Sequence, residues 1–265
     1  MTQPALNRIF AVRAVTAALG GVVLLAGTAS VIGFFMVRTD VDTSVFRQPV
    51  TKVKVTSDTG DVHIEAGTAG PGATVVSHGV SAFRTAEHHE RVRDGVLEVK
   101  AVCRGGLMVV ADSCSIDFDI TVPPGTAVNV SSTTGDVAVS GTEGPVNVRS
   151  GTGDIRVHGT DGTVLLAVNT GDIRADGVKG GQVTTRTHTG DTRLGFTVSP
   201  DAVTATSDTG DLRLQVPRDG TLYRVLTDSS VNEAHIDLPV STASNHRIAL
   251  STNTGRIEAE ARLSD

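Results

Sequence analysis

Five aspartates, Asp136, Asp154, Asp172, Asp191 and Asp211, each follow a Thr-Gly pair at intervals of 18, 18, 19 and 20 residues. If the repeats stack, these carboxylates stand in file about 4.8 Å apart, one strand spacing. Hard oxygen ligands in such a file suit Ca²⁺. An arginine follows four of them at i+2, as Arg156, Arg174, Arg193 and Arg213. On a strand, i+2 returns to the same face, so a guanidinium file runs beside the carboxylate file and neutralises it. The pattern therefore reads first as a structural ladder on the outer surface. Exposed pairs of this kind contribute about 0–1 kcal/mol each, and the aspartates can also accept backbone N–H bonds within the turns. A calcium site and a face for an envelope polymer are the two other readings.

Other chemistry-bearing residues are fewer. Three positions before the turn glycines stand Ser57, Ser132, Ser150, Thr187, Ser207 and Thr252. They read as inward hydroxyls that satisfy one another; a residue repeated in every coil is no unique nucleophile, and no general base accompanies it. His88-His89-Glu90 is the densest metal-capable cluster. Adjacent histidines on a strand face opposite ways, so joint ligation would need a loop. Asp117 and Asp119 share a strand face, where paired carboxylates can serve glycoside hydrolysis but more often solvate an edge. Cys103 and Cys114 are the only cysteines, and at a separation this short, in an oxidising exterior, they read as a disulfide. Closing so short a loop would contribute about 3 kcal/mol by the chain-entropy model. No catalytic centre, metal site or cofactor is assigned.

The elements that must position these residues follow from the same repeat. Thr-Gly-Asp occurs at Gly60, Gly135, Gly153, Gly171, Gly190 and Gly210, with a seventh, imperfect copy, Thr254-Gly255-Arg256. Before each turn, apolar residues alternate, as in Val128-Val130, Val146-Val148, Val164-Leu166 and Ile248-Leu250. After it they alternate again, as in Val137-Val139, Ile155-Val157 and Leu212-Leu214. Period-two alternation marks strands buried on one face, and a repeat near 18 residues with two strands each marks a solenoid. Gly-rich pieces such as Gly141-Thr142-Glu143-Gly144 turn the opposite corner. Tyr223, Val225 and Thr227 fit the template as a degenerate coil between Gly210 and Gly255, with Asp237 to Asn245 as a loop. Residues 61–127 resist the template apart from strands at Val96 to Val102 and Ser115 to Val122, and read as a cap over the first open edge. A left-handed hexapeptide helix fails, because stepping by six from Val146 gives Thr152, His158, Val164 and Thr170. The period leaves the hand of the coil open.

Ahead of the solenoid, Ala14 to Val37 contains no charged residue. A run of about 20 apolar residues is enough to cross a bilayer as a helix. Arg8 and Arg13 precede it and Asp40 and Asp42 follow, favouring a cytoplasmic N-terminus. Cleavage near Gly27-Thr28-Ala29 is the rival reading, weakened because the apolar run continues past it. The expected organisation is a short cytoplasmic stretch (1–13), a transmembrane helix (14–37), a linker (38–50), an N-terminal strand and cap (51–127) and β-helix repeats (128–265). The chain's net charge is −6; residues 1–40 hold three Arg and one Asp, leaving −8 beyond them. With no basic tract, nucleic-acid binding is excluded as a role.

The strings SSTTGDVAV, RSGTGDIRV and VNTGDIRA, with DGVLEV and DITVPPGTAVNV as lead-in strands, resemble the bacterial β-strand-repeat family known as domain of unknown function 4097, often labelled an adhesin family. The similarity covers about residues 50–260. The resemblance implies a right-handed parallel β-helix and a cell-envelope location, and it carries no catalytic residues. The expected protein is thus all-β, a solenoid with coils of about 18–20 residues held in the cell membrane by one span, its C-terminal domain extracytoplasmic. It would serve as a non-catalytic scaffold or adhesin-like binder whose partner is an envelope polymer or protein. A polysaccharide-active enzyme and an envelope-stress sensor are the alternatives. Scarce aromatic residues count against the first, and a 13-residue cytoplasmic stretch against the second.

Overall fold

The computed structural model describes residues 37–67, 70–82, 84–105, 113–230 and 234–262. In chain order the strands are β1 (Arg38–Phe46), β2 (Lys52–Thr59), β3 (Val62–Ala66), β4 (Ala73–Ala82), β5 (Thr85–Arg93), β6 (Val96–Arg104) and β7 (Ser113–Val122). There follow β8 (Ala127–Thr134), β9 (Val137–Ser140), β10 (Val146–Thr152), β11 (Ile155–His158), β12 (Val164–Thr170), β13 (Ile173–Val178) and β14 (Gln182–Thr189). The last are β15 (Thr192–Phe196), β16 (Ala202–Thr209), β17 (Leu212–Pro217), β18 (Arg224–Ser229), β19 (His235–Asp237), β20 (Arg247–Thr254) and β21 (Ile257–Arg262).

Each coil contributes its pre-turn strand to a ten-stranded back sheet and its post-turn strand to an eleven-stranded front sheet. Coil pairs with coil in parallel and in register: Val146 lies beside Val128 on one side and Val164 on the other, and Ile155 lies between Val137 and Ile173. The alternating aliphatics point between the sheets, so the core is one continuous Val, Ile, Leu and Ala column that includes Val148, Ile155, Leu166, Ile173 and Leu212. Arg156 and Arg174 stay exposed on the strands that bury Ile155 and Ile173.

Coil order in space departs from coil order in sequence at both ends. The first Thr-Gly-Asp coil, β2–β3, lies between β6–β7 and β8–β9, so the chain passes outward, returns, and then propagates. At the far end β20–β21 inserts between β16–β17 and β18–β19. The degenerate coil is therefore outermost rather than placed between Gly210 and Gly255. Its terminal position explains its poor template: Tyr223 is fully buried, but Thr227, with no further coil to cover it, is exposed.

Two further expectations need correction. Residues 38–50 are not a linker, because β1 pairs antiparallel with β4 along all nine residues of β1. The cap is not an added lid either. β6 and β7 form a parallel coil of their own, and β4 on β7 and β5 on β6 close its two edges antiparallel. A disulfide joins Cys103 of β6 to Cys114 of β7 with a Cα separation of 6.0 Å, tying the two sheets at this end. No helix of the described residues is long and apolar enough to cross a membrane. The expected span at 14–37 lies outside the described residues except for Val37.

Candidate functional site

The turn file is the most regular feature of the surface. Its glycines adopt φ between +127° at Gly60 and +155° at Gly255, a region that disfavours a Cβ. From Gly135 on, each also sits against the carbonyl of the neighbouring turn, and Gly60 against that of Ile116: a Cβ on Gly135 would stand 2.2 Å from the Gly60 oxygen. That close approach lets each aspartate reach the next coil. Asp61 Oδ1 accepts the Asp136 amide at 2.8 Å, and Asp136 accepts Asp154 at 2.8 Å. Asp154 accepts Asp172 at 2.9 Å, Asp172 accepts Asp191 at 2.8 Å and Asp191 accepts Asp211 at 2.9 Å.

The relay has two ends, and each explains a sequence irregularity. At the cap, Asp117 Oδ1 accepts the Asp61 amide at 2.9 Å and the Ser115 hydroxyl at 3.0 Å. Asp117 is thus the first member of the file, a role that sequence reasoning missed because β7 carries no Thr-Gly turn. At the other end the Arg256 amide donates to Asp211 at 2.9 Å. Arg256 is where the motif loses its aspartate: it still takes the capping bond, while its guanidinium lies 3.6 Å from Glu258.

The arginines are less regular. Arg156 straddles two carboxylates, 2.7 Å from both Asp136 and Asp154. Arg213 pairs with Asp211 at 3.2 Å and with Glu258 at 3.1 Å, and Arg193 stands 3.8 Å from Asp191. Arg174 turns away from Asp172 to Asp176, because position 176 offers a carboxylate on the same face one step further along. The expected guanidinium file is therefore broken at Arg174.

Partial burial opposes ionisation of Asp136, but the Arg156 hydrogen bond, the Asp154 amide and the Arg156 charge outweigh it and hold its pKa below the ordinary carboxylate value. A depressed folded pKa contributes stability that is fully present above the unfolded pKa, about 4, and is lost as pH falls through the folded value. Asp136→Asn, measured by urea unfolding, should therefore flatten the stability profile below about pH 4 and leave its slope near neutrality unchanged. A variant profile parallel to the parent's through the acid range would show that Asp136 carries no such linkage.

Among the described residues, no three His, Cys, Asp or Glu side chains converge as a metal site. One oxygen of each carboxylate is held by an amide, and Arg156 bridges Asp136 and Asp154, so a cation would have to displace ligands already engaged. We expect no shift in melting temperature between millimolar Ca²⁺ and chelator. A saturable rise abolished by Asp154→Asn with Asp172→Asn would reassign the file to calcium; a folded-state ligand at a hundredfold excess over its Kd stabilises by about 2.7 kcal/mol.

The inward hydroxyls are buried but do not satisfy one another in file. Thr252 donates to the Gly210 carbonyl at 3.1 Å, and Ser207 reaches the Gly190 carbonyl at 3.5 Å. Thr187 pairs sideways with Thr192 at 3.0 Å across its own turn, not with the next coil. His88, His89 and Glu90 sit on β5, where the pleat turns His88 towards Ser77 and Asp42, 3.4 and 3.7 Å away, while His89 faces out. Asp119 pairs with His78 at 3.5 Å rather than with Asp117.

Two sheets of stacked parallel coils, tied by a carboxylate-to-amide relay, define the class as a β-solenoid. Residues 109–265 match the family model described as Toastrack DUF4097, and the chain belongs to that family. Among solved structures it is similar to a candidate cell adhesion protein from Clostridium sporogenes, with 10% identity and a TM-score of 0.40, over 85% of this chain and 100% of that one. It is also similar to a candidate adhesin from Bacteroides fragilis, with 13% identity and a TM-score of 0.41, over 83% and 97%. No curated protein matches.

Proposed function

We propose that this chain is a non-catalytic, adhesin-like scaffold of the bacterial cell envelope, anchored by residues 14–37 with the solenoid extracytoplasmic. The observation that carries this reading is the relay: the side chains most often repeated on the surface are engaged coil to coil, as with Asp154 and Asp172, rather than gathered around a reacting centre. The uncharged run beginning at Ala14 and the arginines ahead of it support the anchor. The right-handed sense that the family resemblance implies agrees with the strong preference of parallel crossovers for that hand, and we include it in the proposal. The ligand class is an envelope polymer or protein.

Protease added to intact protoplasts should remove the solenoid; a protected C-terminus would reverse the orientation. The full-length protein, incubated with purified wall polysaccharide, should co-sediment without releasing reducing ends or unsaturated sugars. Product formation would make the chain an enzyme instead.

A further inference from the structure

The residues of β1 are sorted by charge. Val37, Thr39, Val41, Thr43 and Val45 occupy one face, and Arg38, Asp40 and Asp42 the other. Asp42 lies 3.7 Å from His88 on β5, so the charged face looks across towards the back sheet and the uncharged face looks out. The charged side chains are exposed too, Asp42 at 69%, so neither face of β1 is covered over Arg38–Thr43. Val41 is 59% and Val45 66% exposed. The neighbouring β4 buries Ala73, Val75 and Ser77 and turns Thr74, Val76, His78 and Val80 outward, opposite Val45, Thr43, Val41 and Thr39. The result is a two-stranded β-branched patch about 30 Å long at roughly 3.3 Å per residue. Its one titratable side chain is His78, 3.5 Å from Asp119; Asp117 and Asp119 of β7 stand opposite His78 and Val76 and border the patch. Contiguous exposed apolar surface marks a contact site.

What covers it follows from its place directly after the uncharged run. Val37, the first residue of the outward row, is also the last residue of the uncharged run. A chain advances at most about 3.6 Å per residue, so β1 has no slack with which to stand away from a bilayer that the run enters. Arg47 follows the row at its C-terminal end, and such a cation suits lipid phosphates while its stem lies along apolar surface. We propose that the outer face of β1 and β4 lies on the lipid bilayer, seated at the boundary between headgroups and acyl chains. The inference rests on the anchored reading above. It turns the outer rows of β1 and β4 to the membrane, with the carboxylates of β7 at the border of the contact, and leaves the outer face of the back sheet, with Thr204, towards solvent.

The test uses full-length protein in phosphatidylcholine–phosphatidylglycerol vesicles containing doxyl-labelled lipid. A polarity-sensitive fluorophore is placed in turn at Thr43→Cys, Val76→Cys and Thr204→Cys. Labels at positions 43 and 76 should be quenched several-fold more than the label at 204, as expected for groups about 5–10 Å into the interface. Equal quenching at all three, in protein that remains with the vesicles after an alkaline wash, overturns the proposal and leaves the anchor standing. Release by the wash removes both. Efficient disulfide cross-linking between two copies at Thr43→Cys without lipid quenching would assign the face to self-association and overturn the lipid as its occupant.

Discussion

Gly171→Ala is expected to lower the unfolding free energy by about 2–6 kcal/mol, combining backbone strain of about 1–3 with overpacking of about 1–3. Gly171 has φ +139°, and a Cβ there would stand 2.3 Å from the Gly153 carbonyl oxygen. That oxygen is backbone in a packed coil, so relief requires the stack itself to open. Opening it lengthens the Asp172-to-Asp154 bond and strains the neighbouring ladders. Gly159→Ala is the matched control: its φ of +63° is also positive, but nothing lies within 4 Å of the added carbon. Its cost should stay near the left-handed penalty of about 1–2 kcal/mol. Urea unfolding of both variants checks the contrast. Equal losses would show that φ alone matters and that the close approach of successive turns is not a constraint.

Leu166→Ala should cost about 2–5 kcal/mol, as buried leucine truncations do. Leu166 is 2% exposed and lies in register between Val148 and Thr185, so a cavity would open in the middle of the column, where neither adjoining coil can move inward without breaking its own pairing. Arg174→Ala, eight residues away on the outer face, should change stability by no more than about 0.5 kcal/mol. Its side chain is 60% exposed and its ion-pair partner is Asp176. Should the arginine variant prove the weaker of the two, the assignment of inside and outside along the repeat is reversed.

The central coils were readable from the chain because each of their features repeats. Val146 and Val164 announce the strand, Gly153 and Gly171 the turn, and Ile155 and Ile173 the return strand, all within one period. The ends were not readable in the same way. A period orders coils by sequence, whereas β2–β3 and β20–β21 are placed by long-range pairing that leaves no periodic trace. β1 was hidden because its alternation is valine against aspartate on a sheet edge, next to an apolar run that already accounted for its neighbours. In the turn file the aspartates could be named but not their partners. Whether Oδ1 meets a cation or an amide depends on how closely successive turns approach, and that is set by glycines whose role shows only once the coils are stacked. Asp117 and the redirected Arg174 are tertiary facts of the same kind: each depends on which side chain stands one strand over.

The inserted coil at the C-terminal end has a mechanical consequence. β21 is held on one side by β17 and on the other by β19, and β20 likewise by β16 and β18. Neither β20 nor β21 can leave the stack unless two ladders fail, one on each side. At the opposite end β1 has a single partner, β4, and its antiparallel rungs can break in succession. Tension between the two ends would therefore strip β1 first and halt at β2–β3, which is gripped on both sides. Strain applied to this rod is absorbed by one sacrificial strand at the N-terminal end before any coil of the stack is asked to yield.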